Sequence, residues 1–236
     1  MKKGMKKPKF RASSVGLLLT KPRTKKAQEA GELSQTAKSY IESEWLRLEH
    51  NYDEPVVVPQ MMKGHLCEQD AFKLVSKYYP SKDFRSKNKK QFSNQYFTGH
   101  PDTILKTDGI VEDVKCPWTV KNFMQKKELE RLHMVQIQVY MNLLGYESAK
   151  VHYCLINTPE EMILEEEKRY WFKFGCNDEN KHYQEVSEMI RRNHNVDHIP
   201  EEMRIKTFAI NYDQTFIDEL IALVKKARIY YNTLTL

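Results

Sequence analysis

The chain has 236 residues, of which 40% are hydrophobic and 30% charged, which is typical of a soluble globular protein with a buried core. No stretch approaches the roughly 20 apolar residues that a membrane-spanning helix needs, and no export signal is recognised, so the expected location is the cytoplasm. Four scattered cysteines and no histidine cluster disfavour a zinc site, a disulfide framework and an iron–sulfur cluster.

The net charge of +6 is concentrated near the N-terminus. Residues 1–27 hold ten lysine and arginine residues and no acidic residue, and a second basic patch covers residues 82–90. This asymmetry favours a polyanionic partner whose phosphates need neutralising, although a solvated basic tail gives the same pattern. We interpret residues 1–10 as a flexible basic arm and residues 11–236 as a single domain.

Two helices are expected before the first strands. Ser34 is a typical cap for a helix that runs to about Asn51. A second helix is predicted for residues 60–79, because Pro80 follows it directly. The polar and basic residues 81–91 are typical of a loop.

A hairpin is the next predicted feature. Residues 95–106 and 110–116 are strand-like and are joined around Thr107-Asp108-Gly109, a strong turn signal. Beyond it, the pattern predicts helices at 127–144 and 180–193 and a final helix that opens at Asp213. It also predicts a strand at 150–157 and weaker strands at 169–174 and 204–212. This order favours an α/β (α+β) fold with a central mixed sheet flanked by helices.

The hairpin carries the sharpest chemical signal. A two-residue turn at Thr107-Asp108 places Asp102 opposite Asp113, whereas a turn at Asp108-Gly109 places Asp102 opposite Lys115. Because side chains alternate along a strand, these three residues share one face in either register. A bound hard cation such as Mg²⁺ would relieve the repulsion between the two carboxylates. A surface ladder of ion pairs is the alternative interpretation.

Two helical residues extend this pattern. Glu68 lies on an otherwise apolar face with Ala71, Phe72 and Val75, where a carboxylate is unusual unless it is paired or binds a metal. A position at the rim of that face, with the carboxylate in water, is the alternative. Gln136 shares an apolar face of the later helix, either as a core amide or as a ligand for water or phosphate near the lysine.

In this order, these residues resemble the PD-(D/E)XK nuclease superfamily, specifically its branch of phage lambda exonuclease and YqaJ-like viral recombinases. A looser match, Phe10-Arg11-Ala12-Ser13-Ser14-Val15-Gly16, is similar to the N-terminal element of that branch. The resemblance covers roughly residues 10–160 and rests on four segments: Gly64-His65-Leu66-Cys67-Glu68-Gln69-Asp70-Ala71, Thr98-Gly99-His100-Pro101-Asp102, Val111-Glu112-Asp113-Val114-Lys115-Cys116-Pro117-Trp118-Thr119 and Gln136-Ile137-Gln138-Val139-Tyr140-Met141.

The resemblance implies a restriction-endonuclease-like core and DNA cleavage with Mg²⁺ or Mn²⁺. By position, it implies a role for each of the matching residues. The implied metal ligands are Glu68, Asp102, Asp113 and the Val114 carbonyl. Lys115 would activate water, and Gln136 would be the first glutamine of the Q-x-Q helix. Arg11 and Ser13 would bind a 5′-phosphate, and Glu112 would face away from the site.

The function implied is a phage-type 5′→3′ double-strand DNA exonuclease used in recombination. Its expected partners are double-stranded DNA ends, a single-strand annealing protein and, by resemblance, two further copies in a trimer. The location would be the cytoplasm of a bacterial host. The alternatives are an endonuclease of the same superfamily and a nucleic-acid-binding module that has lost catalysis.

Overall fold

The computed structural model describes residues 5–54 and 58–236. None of the described helices is long and apolar enough to cross a lipid bilayer. Two short 3-10 helices, Val15–Leu19 and Glu201–Arg204, accompany the main elements. The described helices are α1 (Lys25–Glu29), α2 (Gln35–His50), α3 (Pro59–Tyr78), α4 (Val120–Met124), α5 (Arg131–Leu144), α6 (Glu160–Lys173), α7 (Lys181–His194) and α8 (Gln214–Tyr231). The described strands are β1 (Phe10–Arg11), β2 (Phe92–Ser93), β3 (Phe97–Gly99), β4 (Thr103–Leu105), β5 (Ile110–Lys115), β6 (Ser148–Cys154) and β7 (Ile205–Asn211).

The strands form two mixed sheets. The larger sheet has the order β4-β5-β6-β7, in which β5 and β6 are parallel and the outer pairs are antiparallel. The smaller sheet has the order β1-β3-β2. Val111 of β5 packs into the core that contains α5, whereas Val114 packs with residues of α3. Because side chains alternate along β5, α3 and α5 cover opposite faces of the sheet. The predicted mixed sheet flanked by helices is confirmed.

Helix ends follow the capping chemistry that the sequence predicts. Ser34 Oγ accepts a hydrogen bond from the Ala37 amide at 3.0 Å at the start of α2. Asp213 does the same for the Phe216 amide at 2.9 Å at the start of α8. Gly145 ends α5 with a φ of 70°, a conformation that a residue without Cβ adopts at low cost.

Two sequence predictions of strands are wrong. The single strand predicted for residues 95–106 is two strands, β3 and β4, in different sheets. Pro101 lies in the interruption, and its missing amide hydrogen excludes it from a central ladder. The weaker strand predicted for residues 169–174 is not formed either, because residues 169–173 belong to α6. That helix buries Met162, Ile163 and Glu167, a helical spacing that outweighs local strand propensity.

The last residues of the predicted basic arm, residues 1–10, contact the domain. Phe10 pairs with Phe97 in the small sheet and is fully buried. The Arg228 guanidinium donates to the Pro8 carbonyl at 2.9 and 3.0 Å. Pro8 and Phe10, at the end of the predicted arm, therefore contact the domain, and the division at residue 10 stays a prediction. Residues 1–4 lie outside the described residues, so the prediction of flexibility there stays a prediction.

Candidate active site

The register of the hairpin decides which side chains face one another. Thr103 pairs with Glu112, and Leu105 pairs with Ile110. This is the register of the turn at Thr107-Asp108, so Asp102 lies across from Asp113. Gly109, which follows the turn, has a φ of 65° that favours glycine.

Asp113, which is buried, and Lys115, which is half-buried, form the centre of the site. Lys115 Nζ lies 2.7 Å from Asp113 Oδ2, and Asp113 is only 1% exposed. Both side chains lie on the face of β5 that α5 covers. Glu112, between them in number, lies on the other face, as the sequence resemblance implied, where it pairs with Arg85.

Asp102 joins this pair from the end of β4. Its Oδ2 accepts a hydrogen bond from the Val114 amide at 3.0 Å. Strand β4 begins only at Thr103, so the carboxylate of Asp102 takes the place of a ladder partner for Val114. The backbone of Val114 and the two aspartates therefore lie together at the open edge of the sheet, just beyond the point where the pairing of β4 with β5 ends.

The two aspartates strongly influence each other's ionisation. The pKa of Asp113 is raised to about 6: burial is the main cause, Lys115 opposes the shift, and the nearby Asp102 adds to it. Burial also raises the pKa of Asp102, and Glu68 adds to that effect. Burial lowers the pKa of Lys115, but Asp113 and Asp102 outweigh it, so the net shift is upward. Lys115 is therefore held as an ammonium between two carboxylates.

Helix α5 adds a chain of hydrogen bonds behind the lysine. Lys115 Nζ donates to Gln136 Oε1 at 3.3 Å, and Gln136 Nε2 donates to the Tyr140 hydroxyl at 2.8 Å. The Tyr140 hydroxyl in turn donates to the carbonyl of His100 at 2.9 Å. The amide of Gln136 is thereby held with its oxygen toward Lys115.

His133 lies one helical turn before Gln136 on the same helix. Its Nδ1 lies 2.6 Å from the Tyr153 hydroxyl. The pKa of His133 is lowered to about 4, mainly by burial and also by the charge of Lys115. The imidazole is therefore neutral at neutral pH and adds no second positive charge beside the lysine.

Glu68 reaches the site from α3, on the opposite side of the sheet. It is 9% exposed, and its carboxylate accepts a hydrogen bond from Lys87 Nζ. Its charge raises the pKa of both Asp102 and Cys116. The carboxylate is mostly withdrawn from solvent, with Lys87 as its partner, rather than at an open rim.

The carboxylate and backbone oxygens of the site are ligands of the kind that a hard divalent cation prefers, although the acidic side chains are not closely grouped. Within residues 5–54 and 58–236, no three His, Cys, Asp or Glu side chains are grouped closely enough to hold a metal ion. Two ammonium groups, those of Lys115 and Lys87, contact the carboxylates instead. Asp113 Oδ2 faces the Lys115 ammonium, whereas its buried Oδ1 accepts no hydrogen bond from the described residues. An anionic oxygen without a partner beside Asp102 and the Val114 backbone fits Mg²⁺ or Mn²⁺.

The two predicted phosphate-binding residues, Arg11 and Ser13, have different surroundings. Ala12 packs beside Gly99 and the Tyr140 ring, so the segment that carries Ser13 adjoins the α5 face of the site. The Arg11 guanidinium instead lies 2.7 Å from Glu44, a carboxylate that is 1% exposed. Their role in binding a 5′-phosphate stays a prediction.

Two groups of residues at the site were not singled out from the sequence. Tyr140 could have been found, because it follows Gln136 by four residues on the same helix face. Lys87 belongs to the basic patch at residues 82–90, but nothing in that patch distinguishes it from its neighbours. Arg85 and Asn88 anchor the loop that carries Lys87, and no local sequence pattern predicts this role for them.

Solved structures with the same fold include two bacterial exonucleases. A phage-related exonuclease from Haemophilus somnus 129PT is 24% identical, with a TM-score of 0.76, over 97% of this chain and 95% of that chain. An alkaline exonuclease from Laribacter hongkongensis, LHK-Exo, is 14% identical, with a TM-score of 0.64, over 95% of this chain and 88% of that chain. Its complex with dAMP matches with a TM-score of 0.60.

Other comparisons add nothing to this similarity. No protein-family model matches the sequence, and a search of curated proteins found no significant relative. The identities to the solved structures are low, so they show the fold alone. The chain shares that fold along nearly its whole length, with the candidate site included.

Proposed function

We propose that this chain is a divalent-metal-dependent DNA nuclease, and specifically a 5′→3′ exonuclease that acts on double-stranded ends. The observation that carries the proposal is the group of Asp102, Asp113, Lys115 and Gln136, of which Asp113 and Gln136 are buried, at the opened edge of the sheet. Two proteins of the same fold are named as exonucleases, which favours that activity over other phosphodiester chemistry.

Asp102, Asp113, the Val114 carbonyl and Glu68 would hold the cation. When bound, the cation lowers the pKa of a water ligand and offsets negative charge on the scissile phosphate. The carboxylates of Asp102 and Asp113 must be ionised to bind it, and the charge of Lys115 already favours that state.

Lys115 would act on the attacking side of the phosphate. Its ammonium is oriented by Asp113 and by Gln136 Oε1, so it can position a water molecule by donating a hydrogen bond. Gln136 acts through Lys115 and is a positioning residue. The hydrogen bond from Gln136 to Tyr140 prevents the amide from turning its nitrogen toward the ammonium.

The test uses end-labelled linear duplex and closed circular duplex, each with Mg²⁺ and with EDTA. We expect digestion of the linear DNA from its 5′ ends, no cleavage of the circle and no activity in EDTA. Cleavage of the circle would replace the exonuclease assignment with an endonuclease. Binding without any cleavage would indicate a module that has lost catalysis.

A further comparison of 5′-phosphate with 5′-hydroxyl ends tests the segment around Ser13. We expect faster digestion of the phosphorylated end if Arg11 or Ser13 contacts that group. The recombination role, the single-strand annealing protein, the trimer and the cytoplasm of a bacterial host are proposals that rest on the sequence resemblance.

A further inference from the structure

The loop between α3 and β2 runs along the free edge of β4. At the hairpin turn, both carboxylate oxygens of Asp83 accept hydrogen bonds from Thr107, at 2.7 Å from its amide and 2.8 Å from its hydroxyl. Midway along β4, the Thr103 hydroxyl donates to the Ser86 carbonyl at 3.2 Å. The loop thus covers an edge strand over its whole length.

A buried ion pair anchors the centre of this loop beneath the sheet. Arg85 donates to both carboxylate oxygens of Glu112, at 2.7 and 3.0 Å. The two side chains are 3% and 0% exposed. A bidentate pair with so little solvent access fixes the backbone at Arg85.

The same loop is held to the site at its other end. The Asn88 amide donates to the carbonyl of Asp102 at 2.7 Å. The side chain of Asn88 donates to the Pro101 carbonyl at 3.1 Å. The backbone is therefore pinned on both sides of Lys87, two residues before it and one residue after it.

The ammonium of Lys87 contacts the Glu68 carboxylate, while about half of the Lys87 side chain remains exposed to solvent. The side chain of Lys87 is 49% exposed, whereas that of Glu68 is 11% exposed. Glu68 needs a positive partner because a buried carboxylate without one is costly. Lys87 has no comparable constraint, since its exposed stem allows its ammonium to move outward.

We propose that Lys87 is a substrate-binding residue of this site that contacts a DNA phosphate beside the scissile bond. In the protein without DNA and metal, Lys87 neutralises Glu68. If Glu68 serves as a ligand of the divalent cation, as proposed above, the Lys87 ammonium would be free to contact a phosphate of the strand at the same sheet edge. This inference rests on the proposed nuclease function and adds a residue that lies outside its sequence motifs.

An ordinary surface ion pair would give a different response. Such a pair contributes little to affinity for DNA or metal, because both partners remain hydrated. Lys89 offers a matched control, since it lies two residues away in the same loop, carries the same charge and is exposed. Comparison of Lys87→Gln with Lys89→Gln therefore separates a specific contact from the general positive charge of the loop.

The experiment measures DNA and Mg²⁺ binding by these two variants and the parent protein. DNA affinity is measured over a salt series with a short phosphorothioate-ended duplex and Ca²⁺. Lys87→Gln should weaken DNA binding about 5- to 10-fold and reduce the salt slope by about one, as expected for one lost phosphate contact. Lys89→Gln should change the affinity less than about twofold, and Lys87→Arg should restore it.

Mg²⁺ binding without DNA gives the second readout. Lys87→Gln should tighten it several-fold, because no ammonium competes for Glu68. Equal behaviour of Lys87→Gln and Lys89→Gln in both assays would overturn the inference. Failure of the nuclease proposal is visible separately, as a lack of Mg²⁺-dependent cleavage by the parent protein.

Discussion

At the scale of single residues, the burial of Asp113 opposes the ionisation of its carboxylate, which binding of a cation requires. Asp113 has a raised pKa of about 6 because its carboxylate is buried beside Asp102. A raised pKa of an acid means that folding favours its protonated form. Its stabilising contribution is therefore complete below the ordinary value near 4 and is lost as the pH rises through about 6. A divalent cation would relieve the remaining repulsion at neutral pH.

Replacement of Lys115 by methionine should stop cleavage while the protein stays folded, with a lower melting temperature because the buried Asp113 loses its counter-charge. Methionine keeps the length of the side chain but loses the ammonium that orients water, which costs on the order of 10²- to 10⁴-fold in rate. Melting temperature and single-turnover cleavage are the measurements. Lys121→Met, at an exposed position of α4, is the matched control. Wild-type cleavage by Lys115→Met would refute the role assigned to Lys115.

At the scale of elements, strand β5 carries two different charge systems on its two faces. Asp113 and Lys115 lie toward α5, and Glu112 lies toward Arg85 and His152, with His152 Nε2 at 3.3 Å from its carboxylate. Burial raises the pKa of Glu112, but the hydrogen bonds of His152 and Arg85 outweigh it and lower this pKa to about 2. The second system stabilises the fold and holds the loop that carries Lys87.

Glu112→Gln should lower the free energy of unfolding by about 3–5 kcal/mol at pH 7, because it leaves Arg85 buried without its counter-charge. Since the pKa of Glu112 is depressed in the folded state, its stabilisation is present above about pH 4.5 and is lost as the pH falls toward 2. Urea unfolding at pH 7 and pH 3 measures the difference. Glu165→Gln, at an exposed site of α6, is the control. A destabilisation that is equally large at pH 3 would contradict this account of the pair.

At the scale of the whole molecule, positive charge is distributed to meet a polyanion. It is concentrated in the N-terminal residues and in the loop along β4, while the remainder of the chain is slightly acidic. Lys9 donates to Ser93, and Arg228 binds the Pro8 carbonyl, so the described end of the basic arm adjoins the small sheet. The arm therefore starts from the side of the domain on which Ser13 also lies.

Deletion of residues 1–7 should weaken DNA binding and lower its salt dependence. It removes four lysines, including Lys6 with its contacts to Glu49 and Asn232, but keeps Pro8 and Phe10, so the melting temperature should fall only slightly. The slope of affinity against salt should fall by no more than about four, because each released counterion adds roughly 0.9. A variant with glutamine at Lys2, Lys3, Lys6 and Lys7 controls for length. Unchanged affinity and slope would show that the arm is only solvated.

Several features of this protein depend only on local sequence. The capping residues, the hairpin turn and the alternation of β5 are local, so Ser34, Asp213 and the shared face of Asp113 and Lys115 were predictable from the residues alone. Other features became visible only in the folded chain: the break between β3 and β4, the helical state of residues 169–173 and the approach of Lys87 to Glu68. Caps and alternation depend on neighbours a few residues apart, whereas these features depend on packing between segments that are distant in the chain.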